Sequence, residues 1–172
     1  MSTSTQTELT LRIPTSGDAK AVWELIRRCE PLDPNSSYAY LLLCTHFAET
    51  CVVAELEGDV VGFVSGYVQP NSPKTLFIWQ VAVDTRARGM GLGRGMLLDI
   101  LLREQCKGVT HLETTVSPSN EASRRMFQGV ADRMRTELNE KAFFSGELMA
   151  EDGHEDENLV TIGPFKPIES RG

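Results

Sequence analysis

Eight residues of this chain, Arg88-Gly89-Met90-Gly91-Leu92-Gly93-Arg94-Gly95, combine two arginines with four glycines. They follow an apolar run from Phe77 to Val83 and lead into an amphipathic segment, Met96 to Arg103, that reads as a helix. A strand, a Gly-rich turn and a helix start form an anion site. Glycines let the backbone curl so that successive N–H groups point inward, and the helix N-terminus adds partial positive charge. A phosphate-bearing compound fits there. The segment is not a P-loop, because no Gly-Lys-Ser/Thr follows. It is not a dinucleotide fingerprint either, because Met96 stands where the third glycine would be.

A second set of residues begins one strand later, at Asn120-Glu121-Ala122-Ser123-Arg124-Arg125-Met126-Phe127. Asn120 and Ser119 are good helix N-caps. Isolated polar residues stand elsewhere in apolar surroundings. Glu113 lies inside an apolar strand, where an unpaired charge is costly. Asp33 sits in a Pro/Asn turn, where capping alone accounts for an Asp. Tyr38 and Thr115 suit a helix and a strand, and Trp79 in its strand is most simply core. His154 stands in a run of acids, Glu147 to Glu157, and alone makes no metal site.

These residues need elements to position them. Leu9 to Ile13 alternates as a half-buried strand does. Ser16-Gly17-Asp18 starts a helix carrying Val22, Leu25, Ile26 and Cys29. Pro31 to Ser36 is a turn before a second helix, Tyr38 to Glu49. Cys51–Leu56 and Val60–Val68 are strands around Glu57-Gly58-Asp59, a hairpin signal. Asn71-Ser72-Pro73 breaks the chain before a Leu76–Val83 strand. The helix after the glycines aligns Leu97, Leu98, Leu101 and Leu102 on one face. Val109–Val116 is a strand, and the helix from Pro118-Ser119-Asn120 runs to Met134. The last third reads as irregular, apart from a short strand, Leu159–Ile162. This order is an α/β (α+β) mixed sheet with helices on both faces.

Composition narrows the function. With 172 residues and no linker, the expectation is one domain, 9–166, between flexible tails 1–8 and 167–172. A net charge of −7 argues against a general nucleic-acid binder. No apolar run reaches membrane-spanning length and no signal peptide is legible, so a cytoplasmic protein without membrane partners is expected. Cys29, Cys44, Cys51 and Cys106 all sit in apolar runs without C-x-x-C spacing, and read as buried free thiols.

Val81-Ala82-Val83-Asp84-Thr85-Arg86-Ala87-Arg88-Gly89-Met90-Gly91-Leu92-Gly93 resembles the acetyl-CoA-binding motif of the GNAT N-acetyltransferases. The Arg-x-x-Gly-x-Gly pattern occurs twice, as Arg88/Gly91/Gly93 and as Arg86/Gly89/Gly91. Asn120 to Phe127 is similar to the helix start that follows in those enzymes. The resemblance implies a mostly antiparallel twisted sheet whose central strands splay to hold acetyl-CoA. Backbone groups of Val81 and Val83 would pair with the pantetheine arm. Arg88, Gly89, Gly91, Gly93 and Arg94 would hold the pyrophosphate, and Asn120 and Phe127 would flank the cofactor. Where the family often places a Tyr as general acid, this chain has Phe127, which donates no proton.

Further residues narrow the resemblance: Pro31 to Cys44 with Asp33, Tyr38 and Tyr40, Phe77 to Val83, Leu112 to Asn120, and His154-Glu155-Asp156-Glu157 before Ile162-Gly163-Pro164-Phe165. This combination resembles the diaminobutyrate acetyltransferase family of ectoine biosynthesis. The implied substrate, L-2,4-diaminobutyrate, carries two amines and a carboxylate. Its site needs carboxylates for the ammonium groups and donors for the carboxylate. Asp33, Tyr38, Trp79, Glu113, Thr115 and His154 are the candidates, with Glu113 or Asp33 as proton acceptor. The resemblance also implies direct attack in a ternary complex, a homodimer and no metal. Two other readings stay open: a GNAT enzyme for another small amine, and a non-catalytic acyl-CoA-binding regulator.

Overall fold

A computed structural model describes residues 8–168. Residues 1–7 and 169–172, and with them most of the two expected tails, lie outside the described residues. Seven strands and four α-helices alternate as β1 (Leu9–Arg12), α1 (Ala19–Arg28), α2 (Ser37–Leu43), β2 (Val52–Leu56), β3 (Asp59–Gln69), β4 (Ser72–Val83), α3 (Leu92–Leu101), β5 (His111–Val116), α4 (Glu121–Met134), β6 (Leu138–Phe144) and β7 (Glu157–Ile162). The strand order is β1-β2-β3-β4-β5-β7-β6. The β4–β5 pair is parallel, while β1–β2, β2–β3, β5–β7 and β6–β7 are antiparallel. This is the mixed, mostly antiparallel α/β sheet expected from the sequence.

The chain forms two compact units, residues 8–65 with 80–99 and residues 66–79 with 100–168. In the first, Val53 and Phe63 are paired neighbours whose side chains join Val22, Leu25, Ile26 and Tyr40 in a core under α1 and α2. The adjacent pair, Ala54 and Gly62, faces the other way. A Cβ at Gly62 would stand 2.9 Å from the Ala54 Cβ and 3.0 Å from the Met96 sulfur, so glycine is what lets α3 seat on that face. Helices therefore cover both faces of this unit. In the second unit, Leu76, Ile78, Leu112, Val116, Val160 and Ile162 are buried at alternate strand positions.

Several expected boundaries move. Helix α3 begins at Leu92, not Met96, so Gly93 and Gly95 lie within it. Its buried face is Leu92, Met96, Leu97, Ile100 and Leu101, whereas Leu102 is exposed. Glycine disfavours helix, but the buried Leu92 and Met96 one turn apart override that preference. Helix α2 stops at Leu43, not Glu49. The Thr45 hydroxyl donates to the Leu41 carbonyl at 2.6 Å, and the N–H groups of Thr45, His46 and Phe47 converge on the Leu42 carbonyl, tightening the last turn. Strand β4 starts at Ser72, so Pro73 lies inside it. The last third is not irregular, because β6 pairs with β7 from Leu138 to Phe144, with one register shift between Ala142 and Phe144. Six of the seven β6 residues are exposed, so no burial pattern marked them. Trp79 is 45 % exposed and is not core. All four cysteines are buried free thiols, as read.

Candidate active site

In the first unit, the end of β4 has a defined polarity. The Asp84 N–H donates to the Val61 carbonyl at 2.8 Å, and the Gln80 N–H donates to Ser65 Oγ at 3.2 Å. Both bonds point to β3. Backbone groups alternate along a strand, so Val81 and Val83 direct theirs to the opposite edge. There the Val83 carbonyl accepts from Arg88 Nε at 3.3 Å and from the Cys29 thiol at 3.5 Å. Burial pushes the Cys29 thiol up, so it stays a donor.

The glycine loop follows. Gly89 and Gly91 have φ of +79° and +69°, a left-handed backbone that side chains rarely adopt. Helix α3 makes its first bond from the Gly95 N–H to the Gly91 carbonyl at 3.0 Å. The N–H groups of Leu92, Gly93 and Arg94 therefore precede the helical ladder and remain available to an anion. Arg88 and Arg94 have no carboxylate partner among the described residues. Arg86 differs: it bonds Asp84 at 3.3 Å and Asp59 at 3.1 Å. The Arg86 backbone N–H, with the Arg86 and Arg28 side chains, holds the Asp84 carboxyl below its ordinary range. Of the two overlapping Arg-x-x-Gly-x-Gly matches, the geometry favours Arg88/Gly91/Gly93.

Asp33 and Tyr38 also belong to this unit, and both are exposed. The Asp33 carboxylate has no partner among the described residues, but its carbonyl accepts from Gln80 Nε2 at 3.0 Å.

In the second unit, β4 pairs with β5 only from Thr75 to Ile78, opposite His111 to Thr114. Trp79 and Thr115 lie just beyond the last pair, where the strands part. The register puts Phe77, Trp79, Glu113 and Thr115 on one face. The Tyr67 and Phe77 rings lie 5.4 Å apart there. Glu113 is half-buried, and both its oxygens accept from neutral donors: Gln69 Nε2 at 2.6 Å and Thr161 Oγ1 at 3.4 Å. No cation pairs with it among the described residues. A carboxylate fixed by two neutral donors, on the same face as Trp79, suits a small ammonium ion.

Asn120 caps α4, its Oδ1 accepting from the Ser123 N–H at 3.1 Å. Arg124 braces this start, bonding Glu140 twice at 2.8 Å and the Pro118 carbonyl at 3.3 Å. Phe127 is buried on α4. His154 lies in the β6–β7 loop, where Nδ1 sits 2.7 Å from the Glu155 carbonyl. The next residue, Glu155, accepts from Ser119 Oγ at 2.5 Å, which links that loop to the α4 start. Among the described residues no His, Cys, Asp and Glu cluster that would hold a metal occurs, and no helix is long and apolar enough to cross a membrane.

The structure thus brings together Trp79, Glu113 and Thr115 on one face, and Val81, Val83 and the 88–94 loop at one strand end. Sequence alone does not mark as candidates Gln69 and Thr161, which bond Glu113, or Tyr40 and Gln80, which bond the backbone of Asn35 and Asp33. Gln80 had a signal: it is a polar residue at a buried position of an apolar strand.

Comparison with known proteins agrees with these features. The Acetyltransferase (GNAT) family profile matches residues 19–130. The chain is 51 % identical over 166 residues to the L-2,4-diaminobutyric acid acetyltransferase of Chromohalobacter salexigens, covering 95 % of this chain and 85 % of that one. It is 53 % identical over 156 residues to the enzyme of the same name from Bordetella parapertussis, covering 90 % and 84 %. Among solved structures, the diaminobutyrate acetyltransferase of Paenibacillus lautus, in complex with L-2,4-diaminobutyric acid and coenzyme A, superposes with a TM-score of 0.89. It has 45 % identity and covers 96 % of this chain and 99 % of that one. A strand end that offers its backbone, a left-handed glycine loop running into a helix, and relatives alike over nearly the whole length place this chain in the GNAT acetyltransferase family, among the diaminobutyrate acetyltransferases.

Proposed function

We propose that this enzyme transfers acetyl from acetyl-CoA to the γ-amine of L-2,4-diaminobutyrate, yielding the Nγ-acetyl product used in ectoine biosynthesis. The likeness to a solved relative that holds both diaminobutyric acid and coenzyme A carries this reading. Val81 and Val83 pair with the pantetheine arm, because their backbone groups turn away from β3. The N–H groups of the 88–94 loop, with Arg88 and Arg94, bind the pyrophosphate, and Gly89, Gly91 and Gly93 allow its close approach. Asn120 binds the arm through the amide nitrogen that its capping bond leaves over, and Phe127 backs the cofactor as an apolar support. A β4 main-chain donor polarises the thioester carbonyl.

The substrate's ammonium groups meet Glu113 and Asp33. Tyr38, Trp79, Thr115 and His154 are the remaining proposed substrate contacts. One carboxylate takes the proton from the γ-ammonium, directly or through water. The freed amine attacks the thioester carbonyl, the C–S bond breaks with CoA leaving as a thiolate, and the nitrogen gives up its second proton to that thiolate or to water. Residues 9–166 act as one catalytic domain, since the borders of the two compact units fall inside β3, β4 and α3 rather than in linkers. A cytoplasmic homodimer is the proposed state. Edge strand β6, with Phe143 and Phe144 exposed on it and Leu148 exposed just after it, supports pairing with a second copy.

Incubation with acetyl-CoA and L-2,4-diaminobutyrate, with ornithine, lysine and putrescine in parallel, tests the reaction by NMR of the product. The expected result is Nγ-acetyl-diaminobutyrate as the preferred product. Preference for another amine overturns the substrate, and CoA binding without turnover on any amine overturns the activity.

A further inference from the structure

We propose that Tyr40 and Gln80 are positioning residues that tether the Pro31–Ser36 loop and so set where Asp33 holds the substrate. The inference rests on the reading of Asp33 as an anchor for a substrate ammonium group.

Gln80 is 6 % exposed and Tyr40 is fully buried. Each polar end has a partner. The Tyr40 hydroxyl donates to Gln80 Oε1 at 3.1 Å and accepts from the Asn35 N–H at 3.2 Å. Gln80 Nε2 donates to the Asp33 carbonyl at 3.0 Å. From the outer side, Trp23 Nε1 donates to the Asn35 carbonyl at 3.2 Å. Three backbone groups of one short loop are thus held by side chains of α1, α2 and β4.

Phe and Met would fill the same volume without polar atoms to satisfy, and such an apolar pair is often no less stable than a buried hydrogen bond. What the hydroxyl and amide add is direction. The Asp33 carboxylate has no side-chain partner among the described residues, so its backbone alone aims it. Without the tether the loop samples other conformations, and apparent substrate affinity falls by the fraction of loops correctly placed. The acetyl-CoA elements, Val81, Val83 and the 88–94 loop, make none of these bonds.

The test uses the full-length enzyme with Tyr40→Phe, Gln80→Met, the double variant and Asp33→Asn, each checked for fold by thermal melting. For Tyr40→Phe and Gln80→Met, the expected KM for diaminobutyrate rises about tenfold. The KM for acetyl-CoA stays within about twofold, and the share of α-acetylated product grows. The double variant is expected to match the worse single one, because the two residues act as one unit. A folded Tyr40→Phe with unchanged diaminobutyrate KM and unchanged γ-selectivity overturns the tether, as does a rise in both KM values alike. Asp33→Asn separates the two ideas: if it alone leaves the diaminobutyrate KM unmoved, the anchor reading fails instead. Should the core variants not fold, hydrogen exchange on the wild type decides. An Asn35 amide that exchanges more slowly than its exposed neighbours supports the tether, and one as fast as theirs refutes it.

Discussion

Gly89 and Gly91 offer a sharp test of the anion site, because alanine at either position changes only the backbone preference. Both sit at positive φ, +79° and +69°. A Cβ at Gly89 meets nothing within 4 Å, and at Gly91 it reaches only Arg94 Nη2 at 3.7 Å. No clash adds to the cost of a left-handed non-glycine residue, about 1–2 kcal/mol. That cost has two possible destinations. If the loop keeps its shape, folding stability drops by that amount and the melting temperature by about 2–4 °C per kcal/mol. If the loop relaxes instead, stability holds and CoA binding weakens by about 5- to 30-fold. The two losses therefore sum to about 1–2 kcal/mol, whichever way they divide. Calorimetric unfolding and CoA titration of Gly89→Ala and Gly91→Ala measure both. Gly95→Ala is the control: it lies within α3 without a left-handed φ, and its Cβ meets nothing, so it is expected to gain about 0.5–1 kcal/mol of stability. A Gly89→Ala protein with unchanged stability and unchanged CoA affinity would refute the reasoning.

Arg86 is already engaged by Asp84 and Asp59, so Arg86→Ala is expected to leave the acetyl-CoA KM within about twofold, whereas Arg88→Ala raises it about tenfold; equal effects in steady-state kinetics contradict the assignment. Gln69 meets Glu113 at 2.6 Å and Thr161 at 3.4 Å, so Gln69→Leu is expected to lower kcat/KM for diaminobutyrate about tenfold and Thr161→Val about twofold. The reverse order in the same assay argues that Glu113 is not held this way. Asp18 accepts two bonds from Arg12 at 2.8 Å and one from the Thr15 N–H at 2.7 Å, and Arg12 foremost holds its carboxyl below the ordinary range. A depressed carboxyl stabilises the fold above its unfolded value and loses that contribution as pH falls through the folded one. Asp18→Asn is therefore expected to be about 1–3 kcal/mol less stable at neutral pH, with the gap narrowing below about pH 4; a gap in urea unfolding that is constant from pH 7 to pH 3 speaks against it.

The candidate cofactor half is legible because its chemistry is local. Arg88 to Gly95 is one unbroken stretch of eight residues, and Asn120 announces α4 as a cap whatever else it binds. The helix start was misplaced by four residues for a related reason: glycine is read as a breaker, yet Leu92 and Met96 anchor the first turn of α3. The substrate half depends on contacts distant in sequence. Glu113 reads as a lone charge in a strand until β7 puts Thr161 opposite it and the end of β3 puts Gln69 beside it. Trp79 reads as core because only the end of β4–β5 pairing at Ile78 exposes it. Strand β6 gave no signal, since its residues are mostly exposed and its pairing with β7 decides it.

The side chains also bear on how acetyl moves. A covalent acetyl-enzyme needs an activated nucleophile, usually a thiolate. Burial pushes the Cys29 thiol up, the Cys44 thiol to about 12 and the Cys106 thiol to about 11. Each stays protonated at neutral pH, and the Cys29 hydrogen is engaged by the Val83 carbonyl. These three thiols offer no ready thiolate, in keeping with the proposed direct attack by the amine, whose ammonium form must first give up a proton. Departure of CoA makes no matching demand. A thiol has an ordinary pKa near 8.5, so its anion is a tolerable leaving group, far better than an alkoxide or amide ion. With Phe127, buried on α4, in the proposed cofactor site, the proton donor it cannot supply belongs to the step that needs one least. The more demanding step is on the amine side, where Glu113, its oxygens engaged by two neutral donors, is the proposed proton acceptor.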